Sequence, residues 1–359
     1  MNRESTKSPK SDKLIIIFLF LLLYTYMFQF KKDFISKESK TLIIQNGKKF
    51  IDKCLFPQNN IEGYPIKNIS QKISAIIPVY NSEKTIYSSI CSIQNQNILN
   101  IEILLIDDFS SDNSSIIVKS LQDKDTRIKI IKNKKNMGSL YSRSIGVIMS
   151  KGEYIFGLDN DDLFFSDSIF DDIIKISEKE NYDIVGFRAF SIENYSYDNE
   201  KIKDLYEYQY YPENIIVHQP QLSTWMITVN GHFKPHDVTI WAKCIKSRIY
   251  KEATLKLGIN RYSNFVSWAE DAIINYVIFN IADSFTFVHK YGIIHLLNNS
   301  TATFYMSNDI KLFGEIHFLD IIYEFTRNNK DKNYTIMGVY YIKRMFRINK
   351  FINNTNLFF

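Results

Sequence analysis

Cysteine is nearly absent from this 359-residue chain, and Cys54, Cys91 and Cys244 stand far apart without paired spacing. Neither a disulfide framework nor a zinc cluster can be read from them, and they leave the redox compartment open. Glycine and proline are sparse too, at 12 and 7 residues. No Gly-x-Gly-x-x-Gly turn and no Gly-Lys-Ser/Thr loop occurs, which removes support for a dinucleotide fingerprint or a P-loop phosphate cradle. Nor is there a strong excess of one charge. The formal net charge is +5 with basic and acidic residues interspersed, so no nucleic-acid footprint is indicated.

What is present is an ordinary globular composition, 45% hydrophobic and 23% charged, long enough for one large or two smaller domains. Asn, Lys and Ile are abundant, a bias that makes chance Asn-x-Ser/Thr sequons common. The N-terminus departs from this average. Leu14 to Phe30 carries no charge and lies between Lys13 and Lys31-Lys32. A run of this length reaches the short end of what spans a bilayer. Bulky Tyr24, Tyr26, Met27 and Phe28 occupy the place where a cleaved signal peptide has small residues, so a retained anchor is expected. Basic residues flank the run on both sides and scarcely decide its orientation. Residues 31–72 read as a polar stem.

Beyond the stem, strands and helices alternate. Ile73–Val79 reads as a buried strand, and Glu83–Gln96 as a helix with Ile86, Ile90 and Ile93 at helical spacing. Ile101–Asp107, Asp112–Gln122, Arg127–Lys132 and Ser139–Met149 continue the alternation into a strand that ends at Asp159. This order predicts a mostly parallel sheet with helices on both faces. Ligands in such sheets bind beyond the carboxyl ends of the strands. Three of those ends are polar here: Tyr80-Asn81, Asp107 to Asp112, and Asp159-Asn160-Asp161-Asp162. The last is an apolar strand running into three carboxylates. Packed carboxylates raise one another's pKa unless a cation lies between them, and a divalent metal is the simplest remedy.

Taken in order, Pro78-Val79-Tyr80-Asn81, Asp107-Asp108-Phe109-Ser110-Ser111-Asp112, Asn136-Met137-Gly138 with Arg143, and Gly152-Glu153-Tyr154 leading to Asp159-Asn160-Asp161-Asp162 resemble the family 2 glycosyltransferases of GT-A fold. The resemblance covers roughly residues 73 to 165 and implies a nucleotide-sugar donor, with a UDP-sugar expected. It implies that Asp107 or Asp108 meets the base, that Pro78, Tyr80 and Asn81 wall the nucleotide, and that Arg143 faces the nucleotide side. Asp161 would hold Mn2+ or Mg2+, Asp159 would share the cation or hold the ribose, and Asp162 would stand behind them. Phe109 departs from the pattern, since many members have Gly there, and Gly tolerates backbone angles that Phe does not. Asp112 reads as a helix cap.

In the second half, Ser267-Trp268-Ala269-Glu270-Asp271 resembles the family's Glu-Asp motif. It implies Asp271 as the general base of an inverting transfer, with Glu270 orienting or binding acceptor. Trp241 and Lys243 would shape the acceptor side, although Trp241 suits a core equally. His295 would complete the metal or diphosphate site. No Gln-x-x-Arg-Trp follows Asp271, so transfer of one sugar per encounter is expected rather than processive synthesis. The expected organisation is a tail at 1–13, an anchor at 14–30, a stem at 31–72, a GT-A domain at 73–300 divided at 165/166, and a helical extension at 301–359. A type II protein of Golgi or endoplasmic reticulum with a lumenal enzyme is the expected setting, the acceptor being a glycan, lipid or protein. The competing class is a catalytically silent glycan- or nucleotide-sugar-binding protein, which would have no need of Asp271 beside Asp159 and Asp161. A nucleotidyltransferase would want a Gly-rich basic loop after the first strand, and Asn81-Ser82-Glu83-Lys84 is not one.

Overall fold

A computed structural model of the chain describes Cys54 and residues 72–193, 204–208, 214–222, 239–258, 269–297 and 307–327. The chain divides into two units, residues 1–45 and 46–359, and all the described residues belong to the second. The expected anchor at 14–30, most of the expected stem, Ser267-Trp268 and the expected helical extension apart from residues 307–327 lie outside the described residues. Among the described residues no helix is long and apolar enough to cross a membrane.

The first half follows its apolar pattern closely. Strand β1 (Ile73–Val79), helix α1 (Ile86–Gln94), β2 (Ile101–Asp107), α2 (Ser114–Gln122), β3 (Ile128–Lys132), α3 (Ser139–Met149) and β4 (Tyr154–Gly157) succeed one another. β1 pairs in parallel with β2 on one side and β4 on the other, and β2 with β3. Side chains alternate across a strand, and both faces of β1 and β2 are buried. Ile73, Ala75 and Ile77 join one apolar core with Ile86, Ile90 and Ile93 of α1, whereas Ile76, Leu104 and Ile106 join a second with Leu140 and Val147 of α3. Helices therefore do cover both faces.

The second half comprises β5 (Leu163–Phe164), α4 (Ile169–Glu180), β6 (Ile184–Glu193), β7 (Asp204–Tyr208), β8 (Ile215–His218), β9 (Lys243–Lys246), α5 (Ser247–Leu257), α6 (Glu270–Ile281), β10 (Ser284–Leu297) and α7 (Asn308–Arg327). Here the expectation of a mostly parallel sheet needs correction. The strand order is β3-β2-β1-β4-β9-β6-β10-β5, with β7 on β6 and β8 on β10. Beyond β4 only β6 and β10 pair in parallel; β9 runs antiparallel to both β4 and β6, and β5, β7 and β8 are antiparallel as well. The alternation itself continues from β4 through α4 to β6, but β9 inserts between those two strands antiparallel to both, and β5, β7 and β8 add antiparallel neighbours.

Two local devices hold the parallel half together. A Cβ on Gly152 would lie 2.5 Å from the backbone of both Ile73 and Ser74, so only glycine lets the chain enter β4 this close to β1. The fully buried Arg127 side chain pairs with Asp125 at 2.8 Å, and Gln94 donates to the same Asp125 oxygen at 2.8 Å. Removing one member of a buried ion pair leaves an uncompensated charge, so Arg127→Ala should cost about 3–5 kcal/mol in denaturant unfolding. A loss below about 1 kcal/mol, the scale of an exposed pair, would show that Asp125 reaches water.

The cysteines hold a surprise. Cys54, in the segment expected to be a stem, is disulfide-bonded to Cys91 of α1, with Cα atoms 5.5 Å apart. A separation of 37 residues has no local spacing signature, which is why the pair was invisible in the sequence.

Candidate functional site

Because β1 to β4 run parallel, their carboxyl ends open on one edge, and the polar segments singled out in the sequence meet there. After β2, both oxygens of Asp108 are engaged. They accept hydrogen bonds from Asn133 Nδ2 at 2.7 Å, the Met137 amide at 2.8 Å and the Gly138 amide at 2.7 Å. Asp108 thus shapes the turn that starts α3, and Gly138 enters it at φ 87°. Asp107 is buried and accepts from the Ser110 amide at 2.9 Å and the Ser115 hydroxyl at 2.5 Å, with Lys132 Nζ at 3.4 Å. Burial opposes its ionisation, but the Ser115, Ser110 and Lys132 partners hold its carboxyl below the usual range. Asp112 accepts from the Ser114 amide at the start of α2 and from the Glu83 amide, each at 2.9 Å, so it both caps and joins two loops. Pro78 lies within β1, and Tyr80 and Asn81 follow it; Asn81 (φ 44°) accepts from the Ser111 amide at 2.8 Å.

Past β4, Asp159, Asp161 and Asp162 each offer an oxygen within 4.8 Å of the others. Burial, then Asp162 and Asp159, push Asp161 up to about 8. Asp162 is fully buried and is committed to His295, whose Nδ1 lies 2.8 and 3.0 Å from its two oxygens, and it also accepts from the Leu296 amide at 3.1 Å. Although burial disfavours the imidazolium, Asp162, Asp161 and Asp159 raise His295 to about 9. A carboxylate that fixes Nδ1 leaves Nε2 as the nitrogen for a cation, the arrangement that usually orients a metal-binding histidine. Trp241, itself buried, stacks on that imidazole with ring centroids 5.4 Å apart.

Arg143 joins the two halves. From α3 its guanidinium reaches Asp159, Asp271 at 2.9 Å and Glu270 at 3.4 Å, and only 7% of its side chain is exposed. The Asp271 contact is an ion pair without an aligned hydrogen bond on Oδ1, while Oδ2 accepts from the Ile240 amide at 3.0 Å. Glu270 also accepts from the Ser139 hydroxyl at 2.8 Å. Glu270 and Asp271 form the first turn of α6, where the helix dipole favours anions. Even so, burial, with Glu270 and Asp159 adding to it against the lowering effect of Arg143, lifts Asp271 to about 7.

The site therefore brings together Asp159, Asp161, Asp162, Glu270 and Asp271 with Arg143 and His295. The acids outnumber the bases, and an oxygen-rich donor set of this charge fits a hard divalent cation. Sequence reasoning missed two links: the Asp162–His295 pair and the reach of Arg143 to Asp271. Residues that far apart in the chain leave no spacing to read.

Residues 74–233 match the glycosyl transferase family 2 model. The cholesterol galactosyltransferase of Borreliella burgdorferi is 31% identical over 223 residues, covering 61% of this chain and 58% of that protein. A glycosyltransferase of Haemophilus influenzae with no further characterisation is 42% identical over 97 residues, which is 27% of this chain and 39% of that one. This chain thus spans well under two thirds of the length of either relative. Among solved structures, S. aureus TarS 1–349 in complex with UDP-GlcNAc superposes with a TM-score of 0.56 at 17% identity, covering 80% of this chain and 77% of that one. At that identity the likeness concerns the fold alone. With the ordered strand-end motifs, the family match and these relatives in agreement, residues 74–233 form a family 2 glycosyltransferase segment.

Proposed function

We propose that the protein transfers a single sugar from a nucleotide-sugar donor, a UDP-sugar, to an acceptor hydroxyl with inversion at the anomeric carbon. The observation that carries this reading is the Arg143 bridge, which ties an acid of the strand-end cluster, Asp159, to an acid of the second half, Asp271. One carboxylate group then serves the departing diphosphate while another, across the guanidinium, serves the incoming hydroxyl. Asp271 takes the hydroxyl proton as the acceptor oxygen bonds to the anomeric carbon, and the bond from that carbon to the diphosphate oxygen breaks on the opposite face. With a pKa near 7, Asp271 is poised to accept a proton at neutral pH. Asp161 and Asp159, with His295 Nε2, would hold Mn2+ or Mg2+, which neutralises charge on the leaving diphosphate when bound. Asp162 keeps His295 in register, and Trp241 backs the ring. Glu270 orients Arg143 and faces the acceptor side.

A donor screen with the full chain tests this reading: each sugar nucleotide is supplied with manganese, and released nucleoside diphosphate is measured. Release from a UDP-sugar is expected, and binding without any release would favour the catalytically silent alternative. Membrane attachment through Leu14–Phe30 belongs to the same proposal and is supported by the apolar run, while a lumenal enzyme in a type II topology is supported by the order of basic tail, short anchor, stem and enzyme. Protection of the catalytic domain from protease in sealed microsomes is the expected result; digestion without detergent would reverse the orientation.

A further inference from the structure

The turn after β2 has an unusual centre. Phe109 adopts φ 67°, a left-handed backbone conformation that bulky residues rarely occupy. Its ring gains little packing in return, for the residue is 52% exposed. The turn is nevertheless pinned from several sides: the Asp108 amide donates to Val79 O at 2.8 Å, the Ser110 amide to Asp107 at 2.9 Å, and the Ser111 amide to Asn81 Oδ1 at 2.8 Å. The turn keeps a glycine-like backbone shape with a phenylalanine at its centre, and the aromatic ring stands out from it. Strain that the surroundings hold in place gathers at ligand sites.

The position of the ring narrows its use. β2 is hydrogen-bonded to β1, whose end carries Tyr80, itself 47% exposed, so two open aromatic residues stand on neighbouring strand ends at the edge of the site. The carboxylates just before Phe109 are already satisfied by protein donors, Asp108 by the Asn133–Gly138 turn and Asp107 by Ser110 and Ser115. What this strand end offers a ligand is an apolar aromatic surface. We propose that Phe109 is a stacking face for the nucleobase of the donor, an affinity element of this chain; the inference rests on the nucleotide-sugar reading above. A base stacked there gains affinity from its π-face whatever the pattern of its hydrogen-bonding edge.

Calorimetric titration of UDP and of inorganic diphosphate, each with manganese, into the full-length protein, Phe109→Gly and Phe109→Tyr tests this. Glycine suits the backbone, so Phe109→Gly should unfold at the same temperature as the parent or higher. It should bind UDP about tenfold more weakly, as expected for one lost base–aromatic stack. Inorganic diphosphate, which has no base, should bind both proteins alike, and Phe109→Tyr should retain the parent's UDP affinity. Unchanged UDP affinity in Phe109→Gly would overturn the inference, as would an equal loss for inorganic diphosphate, which would mean that Phe109 only shapes the turn. Failure of the parent protein to bind any nucleoside diphosphate would instead overturn the nucleotide-sugar reading itself.

Discussion

Asp271→Asn should lower turnover by about 100-fold or more while leaving the dissociation constant of the donor nearly unchanged, because general-base catalysis supplies a factor of this size and the amide keeps the volume of the carboxyl. The Ile240 amide that donates to Asp271 Oδ2 retains an oxygen to bond, so the start of α6 should stay in place. Single-turnover kinetics beside donor titration separate the two effects. An equal loss in donor affinity would make Asp271 a structural partner of Arg143 rather than the base. The pH profile gives a second check. Asp271 is raised to about 7, and only its carboxylate accepts a proton, so kcat/KM should fall as pH drops through about 7. The same shift works against stability at high pH. A folded-state pKa above the ordinary aspartate value of 3.8 means that the folded form binds the extra proton, so this group's contribution to stability declines as pH rises from about 4 to about 7.

Removing the cation should have a comparable effect. Chelation is expected to abolish transfer, and manganese or magnesium to restore it, because Asp159, Asp161 and Asp162 lie within 4.8 Å of one another and a departing diphosphate adds negative charge. Asp161→Asn should reproduce the loss by about 100-fold or more with metal present, since it removes an anionic ligand of the cation. Binding should also weaken on acidification, because burial and its acidic neighbours raise Asp161 to about 8 and the cation must displace that proton. Calorimetric titration of manganese at several pH values measures this directly. Full activity in excess chelator would sink the metal reading and leave the cluster to Arg143 and His295 as its positive charges among the described residues.

How much of this was legible in the chain differs between its halves. Ile73–Val79, Ile101–Asp107 and Ser139–Met149 take the bounds that their apolar patterns predict, because both faces of β1 and β2 and the inner face of α3 are buried and local periodicity carries the whole signal. The acid-rich strand ends were legible for the same reason, a parallel run of β-α steps being bound to open them on one edge. Past β4 the pattern misled. β9 is a four-residue strand lying between β4 and β6, and nothing in Lys243–Lys246 by itself says which neighbours it will take or in which direction.

By itself, then, the sequence determined the family of residues 74–233, the alternating first half and the residue types that any metal or base could draw on, since all of these rest on near neighbours in the chain. Only the tertiary structure decided their partners. Asp108 turned inward to hold the Asn133–Gly138 turn, Asp162 went to His295, and Arg143 came to lie against both Asp159 and Asp271. The physical reason is that a buried charge must find a counter-charge or a donor wherever the fold supplies one. That choice is made across a separation of 128 positions, from Arg143 to Asp271, and no local pattern records it.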